Sequence, residues 1–144
     1  MSEASNAPLR ALVLWDIDGT LVDSGGLGRD VFLDAFEKVT GTPPAQLVPF
    51  AGRTDLEIAA DLLDHAGIAS DDGVLEAFSD ALERALAAQT DELQRRGRAL
   101  PGARASLERL AREPGIVQSL LTGNIVSNAR VKLGAFGLDR FVDF

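Results

Sequence analysis

Two carboxylates two residues apart, Asp16 and Asp18, stand at the end of an apolar run and are followed at once by Gly19-Thr20. Side chains at i and i+2 of an extended segment point the same way, so both carboxylates face one small volume. Two bare anions are unfavourable there. Either a hard cation binds between them and other oxygen ligands, or one carboxyl keeps its proton and serves as an acid. Both states suit attack by one carboxylate on a phosphoryl group, while the other protonates the leaving oxygen and later activates water. A calcium loop also begins Asp-x-Asp, but it needs glycine at position six and Glu at position twelve. Here glycine is fourth and the twelfth residue is Leu27. A purely structural acidic turn is the remaining alternative.

The elements that must position this pair follow from the apolar pattern. Ala11 to Trp15 is an uninterrupted apolar run bounded by Gly19, which predicts a strand buried on both faces. Asp16 then lies at the carboxyl end of a parallel strand, the edge where open α/β sheets bind ligands. A second apolar strand is expected over Ile116 to Leu121, closed by Thr122-Gly123-Asn124 and followed by Ile125, Ala129, Leu133 and Phe136 at helical spacing. That strand ends in a hydroxyl and backbone N–H groups at a helix N-terminus, an anion site in the making. Between the two lie only helical patterns. One runs from Val31 through Val39 and stops at Gly41; one opens on the capping-box signature Thr54-x-x-Glu57; one spans Ser70 to Gly97, in helices expected to pack on one another. A helix over Ala103 to Ala111 returns the chain to the sheet. The stretch Ser2 to Pro8, small and polar, reads as a frayed terminus.

Asp16-Ile17-Asp18-Gly19-Thr20-Leu21-Val22-Asp23-Ser24 resembles the first signature of the haloacid dehalogenase-like hydrolase superfamily, and Leu120-Leu121-Thr122-Gly123-Asn124 is similar to its second. The helical insert after the first strand resembles the branch with a helical cap, phosphoglycolate-phosphatase-like enzymes in particular. The resemblance implies an α/β fold, a Rossmann-like parallel sheet core, incomplete in this chain, with an inserted all-helical cap. Residues 1–22 and 99–144 fall to the core and 23–98 to the cap. It implies a Mg²⁺-dependent phosphatase of small phosphorylated metabolites, with Asp16 as nucleophile and Asp18 as general acid/base, both at the metal. Thr122, Gly123 and Asn124 are implied to bind the phosphoryl group and Arg53, in a cap loop, an anionic part of the substrate. A phosphomutase of the same family, or a non-catalytic phosphate-binding fragment, is the alternative; Asp18 disfavours a dehalogenase.

The family pattern continues with a lysine and an acidic pair beyond the second signature, and the sequence ends at Phe144 before either is placed, so a fragment of a longer enzyme is expected. Lys132 reads as a solvated residue of an amphipathic helix, and Asp139 and Asp143 have no strand to deliver them to the site. The first strand, central by family resemblance, would then expose an apolar edge open to self-association. Arg95-Arg96-Gly97-Arg98 reads as a helix C-terminus offsetting the macrodipole, and His65 as structural. A net charge of -8 argues against nucleic acid as a partner. No apolar run is long enough to cross a membrane, and with no cysteine and no apolar leader a cytoplasmic protein is expected.

Overall fold

Strand β1, Ala11–Trp15, pairs in parallel with β4, Ile116–Leu120, so that Ala11 lies beside Ile116 and Trp15 beside Leu120. The pairing runs on to the carboxyl edge, where the Leu121 N–H donates to the Trp15 carbonyl at 2.9 Å. Asp16 and Thr122, far apart in sequence, therefore leave the sheet side by side. The computed structural model describes residues 8–144, and most of Ser2 to Pro8 lies outside the described residues.

Between these strands the chain forms β2 (Val22–Asp23), α1 (Leu27–Thr40), α2 (Asp55–His65), α3 (Asp72–Ala87), α4 (Thr90–Arg96), β3 (Arg98–Ala99) and α5 (Ala103–Ala111). After β4 come α6, Val126–Ala135, and a short 3-10 turn, Asp139–Phe141. This is a mixed α/β chain with a parallel, Rossmann-like pair of strands and a helical cap. The cap has its own core: Phe32 of α1 packs at a tilt against Phe78 of α3, ring centroids 4.8 Å apart, in one cluster with the buried Ile58, Leu62 and Leu63 of α2 and Leu93 of α4. Thr54 caps α2 as the spacing predicts: its hydroxyl accepts from the Glu57 N–H while the Glu57 carboxylate accepts from the Thr54 N–H at 2.8 Å. The second core joins Ile17, Leu21 and Val22 to Leu107 of α5 and to Ala129 and Leu133 of α6.

Three expectations need correction. First, β1 is not covered on both faces, although it does present the unpaired edge expected of it: among the described residues β4 is its sole neighbour. Helices cover the face carrying Trp15, Gln118 and Leu120, whereas Leu12 and Leu14, on the opposite face, are 54% and 48% exposed. Second, α3 packs chiefly against α1, and α4 against α6 and α1, rather than on each other, because the bend at Ala88–Gln89 turns α4 toward the core. Third, the short antiparallel ribbon of β2 with β3, Val22 beside Ala99 and Asp23 beside Arg98, was not anticipated; two residues a strand leave no periodic signal.

The basic run serves this ribbon. Arg96, in the last turn of α4, donates to the Gly25 carbonyl at 2.8 Å and pairs with Asp30 of α1 at 2.7 Å, while Arg98 pairs with Asp23 at 3.0 Å. The cap's entry and exit are thus stitched together. No helix of the described residues is long and apolar enough to cross a membrane.

Candidate active site

The turn after β1 is knotted around one residue. Ile17 is fully buried, and its carbonyl accepts the N–H groups of Thr20, Leu21 and Val22 at 3.2, 2.9 and 3.0 Å. Gly19 adopts a left-handed φ of 76°, a conformation that favours glycine, and its N–H reaches the Val22 carbonyl. With Ile17 driven into the core, Asp16 and Asp18 on either side project outward into one cavity of about 640 Å³. One Asp16 oxygen accepts from the Ile17 N–H at 2.8 Å; among the described residues its other oxygen has no donor.

The second loop meets the first through Asn124. Its amide nitrogen donates to Asp18 Oδ2 at 2.7 Å and to Thr122 Oγ1 at 2.8 Å. Thr122 Oγ1 also accepts from the Asn124 N–H at 3.2 Å, so the threonine's own hydrogen is left to donate into the cavity. Asn124 does not cap α6: its side chain is drawn to Asp18, and the N-cap is Ile125, whose apolar side chain offers no capping bond. Of the Gly123 and Asn124 backbone N–H groups, only Gly123's has no partner among the described residues.

The largest departure is Lys132. It is 6% exposed rather than solvated, and its ammonium donates to both Asp18 oxygens at 2.8 Å and to Asn124 Oδ1 at 2.6 Å. Two carboxylates at this spacing call for a cation, and part of it is supplied by the protein itself. The signal was present in the sequence. Lys132 lies three residues after Ala129 and next to Leu133, on the stripe that α6 buries, where a lysine needs a partner.

Helices α1 and α2 and the loop before α2 form the opposite wall. Arg53 lines the cavity, but its guanidinium is engaged within the cap, donating to Asp61 at 2.9 Å and to the Pro49 and Glu57 carbonyls at 3.2 and 3.3 Å. His65 joins the same Asp61. Arg29, not singled out from the sequence, lines the cavity with its guanidinium carbon 5.6 Å from the Phe50 ring centroid and no carboxylate partner among the described residues. It stands in the first turn of α1, where the helix dipole disfavours a cation, so that two positive fields add at this mouth. Asp55 accepts from the Ile125 N–H at 2.9 Å. Burial raises its carboxyl above the ordinary 3.8, an effect opposed by the Ile125 N–H and by Lys132 and reinforced by Asp18. Asp139 and Asp143 do not line the cavity. Asp143 instead extends along the other edge of β4, its N–H on the Gln118 carbonyl at 2.8 Å.

A strand-end carboxylate pair, a hydroxyl and free N–H at the next strand end, and a buried lysine beneath a helical cap make a site for an anion that reacts. The family model of the haloacid dehalogenase-like hydrolases matches residues 13–143. The chain belongs to this family. Among solved structures, a predicted phosphoglycolate phosphatase from Haemophilus somnus is similar at 20% identity with a TM-score of 0.62, over 94% of this chain and 60% of that one. A hydrolase from Pseudomonas syringae is similar at 23% identity with a TM-score of 0.53, over 89% of this chain and 55% of that one. Both likenesses concern the fold, and this haloacid dehalogenase-like chain spans about 60% or less of their length. No curated protein matches it in sequence.

Proposed function

We propose that this hydrolase cleaves small phosphate monoesters through an aspartyl-phosphate. The observation that carries the reading is Asn124, whose side chain ties the Asp18 carboxylate, the Thr122 hydroxyl and the Lys132 ammonium into one constellation beside Asp16. An Asp16 oxygen attacks phosphorus and the bond to the leaving oxygen breaks, that oxygen taking a proton from Asp18. Water then attacks phosphorus, giving its proton back to Asp18, and the bond to Asp16 breaks. Thr122 and the Gly123 N–H donate to the non-bridging oxygens, and Lys132 stabilises the Asp18 carboxylate left when the leaving group is protonated.

The donor set fits Mg²⁺, which is satisfied by one or two carboxylates with waters and phosphoryl oxygens for the rest. Asp16 has a free oxygen for it, whereas Asp18 holds Lys132 and Asn124 on its oxygens; no third acidic or His ligand joins them among the described residues. When bound, the cation would offset charge on the phosphoryl oxygens.

The substrate side of the cavity is apolar at Phe32, Phe50 and Ile58, with Arg29, over the Phe50 ring, as a cation that has no carboxylate partner among the described residues. That pairing supports a short substrate bearing a second anionic group, phosphoglycolate-like in kind. The expected result is Mg²⁺-dependent release of phosphate from 2-phosphoglycolate, and more slowly from p-nitrophenyl phosphate, both abolished in Asp16→Asn. Turnover undiminished by Asp16→Asn would remove the nucleophile from this mechanism. Retention of the phosphoryl group on product would favour a mutase.

A further inference from the structure

The cap does more than cover the site; it grips the loop beneath it. Asp55 is the first residue of α2, where an acidic side chain ordinarily serves its own helix N-terminus. Here Thr54 and Glu57 fill that role through the capping box, and the Asp55 carboxylate turns to the core instead. Its Oδ2 accepts from the Ile125 N–H at 2.9 Å, and its own N–H donates to the Gly123 carbonyl at 2.8 Å. These two bonds fall on either side of Asn124, the residue that gathers Asp18, Thr122 and Lys132.

Gly123 shows how closely the two surfaces fit. A Cβ at this position would lie 2.4 Å from the Arg53 carbonyl oxygen and 2.9 Å from Thr54 Cα. Both obstacles are backbone, so no rotamer change relieves them. The cap can seat only on a glycine.

We propose that Asp55 is a positioning residue that makes cap seating and ordering of the Thr122–Ile125 loop a single event. When the cap lifts, the Gly123 carbonyl and the Ile125 N–H lose their partners on Asp55 together, and the loop that orients Asn124 loosens. When it closes, one side chain and one N–H fix the loop on both flanks of Asn124. The catalytic part of this inference rests on the phosphoryl-binding role given to Thr122 and Gly123; the coupling part rests on geometry alone.

Amide hydrogen exchange on the 144-residue chain separates them. In Asp55→Ala the acceptor for Ile125 is gone, but the N–H of residue 55 keeps its Gly123 partner. If seating is a single event, both amides should lose protection by about tenfold or more. Gly123→Ala should do the same by steric exclusion, without touching the carboxylate. Asp55→Asn, which keeps an acceptor oxygen, should restore protection to within about threefold of wild type. Orthophosphate binding in the presence of Mg²⁺, followed by NMR titration, should weaken about fivefold or more in Asp55→Ala and Gly123→Ala and recover in Asp55→Asn. If Asp55→Ala unfolds the chain, the Gly123→Ala and Asp55→Asn arms still decide. Loss of protection at Ile125 alone, with residue 55 unchanged, would overturn the proposal, as would retained protection in Gly123→Ala. Absence of orthophosphate binding by wild type would count against the phosphatase reading and leave the exchange result to judge the coupling.

Discussion

The buried Lys132 and the half-buried Asp55 show how a charge withdrawn from water redefines a site. The Lys132 ammonium has three oxygens around it, two from Asp18 and one from Asn124, and it is the strongest fixed positive charge at the carboxylate pair. Replacing it with methionine keeps the volume and removes the charge. Phosphatase activity should fall about a hundredfold, with the fold intact by circular dichroism. Asp55 makes a prediction in pH. Its folded carboxyl binds a proton more readily than the unfolded one, whose ordinary value is 3.8. The native state therefore holds more protons across the window from that value up to the raised folded one, and Asp55's contribution to stability declines as pH rises through it. Asp55→Asn has no such titration. Urea melts from about pH 4 to pH 7 should show wild type losing stability relative to Asp55→Asn as pH rises, then running parallel above the window.

At the scale of elements, Gln118 holds the sheet to its helices. Its carbonyl oxygen accepts the Trp15 indole N–H at 3.0 Å, and its amide donates to the Leu107 carbonyl at 3.0 Å and the Phe141 carbonyl at 3.3 Å. One buried side chain thus joins β1, β4, α5 and the 3-10 turn. Gln118→Ala strands all three partners and leaves a void, so a loss of about 3 kcal/mol is expected in denaturant titration. The sequence pattern around Ile116-Val117-Gln118-Ser119-Leu120 was legible as a strand because its length and apolar flanks were sufficient. The role of Gln118 was not, since its three partners come from three other places in the chain. The same distinction runs through the site. Asp16, Asp18 and the capping box are local patterns, with spacing that states the geometry. Lys132 on Asp18, Arg53 on Asp61 and Asp55 on Ile125 are long-range or competing pairings, decided only when helices dock. Lys132 was nonetheless the readable case, because a lysine on a buried stripe requires compensation.

For the whole molecule, the two-stranded pairing leaves Leu12 and Leu14 of β1 exposed on one sheet face, with Val117 of β4 beside Leu12 at 37% exposure. The same strand has an unpaired edge among the described residues. Apolar faces of this kind recruit partners, and backbone edges template them. Sedimentation velocity should show concentration-dependent association of the chain, reduced by Leu12→Lys with Leu14→Lys. A monomer at all concentrations would show that the face tolerates water. The fold class and the run of helices between the two parallel strands were readable because they follow from hydrophobic period and breakers. The bare face was not, since an apolar strand predicts its covering without saying where that covering comes from.

The ribbon of β2 and β3 has one more implication. Val22 faces Ala99 and Asp23 faces Arg98 across an antiparallel pair, so in topological terms residues 24–97 are the turn of a β-hairpin. To the core, the whole cap is a loop whose two ends are paired side by side. The entropic cost of a closed loop grows only with the logarithm of its length, so cap size is nearly free to vary while the hairpin's mouth stays fixed. The chemistry below can therefore stay constant while the enclosure above is lengthened, shortened or exchanged, provided the replacement still presents an extended pair at Val22–Asp23 and Arg98–Ala99.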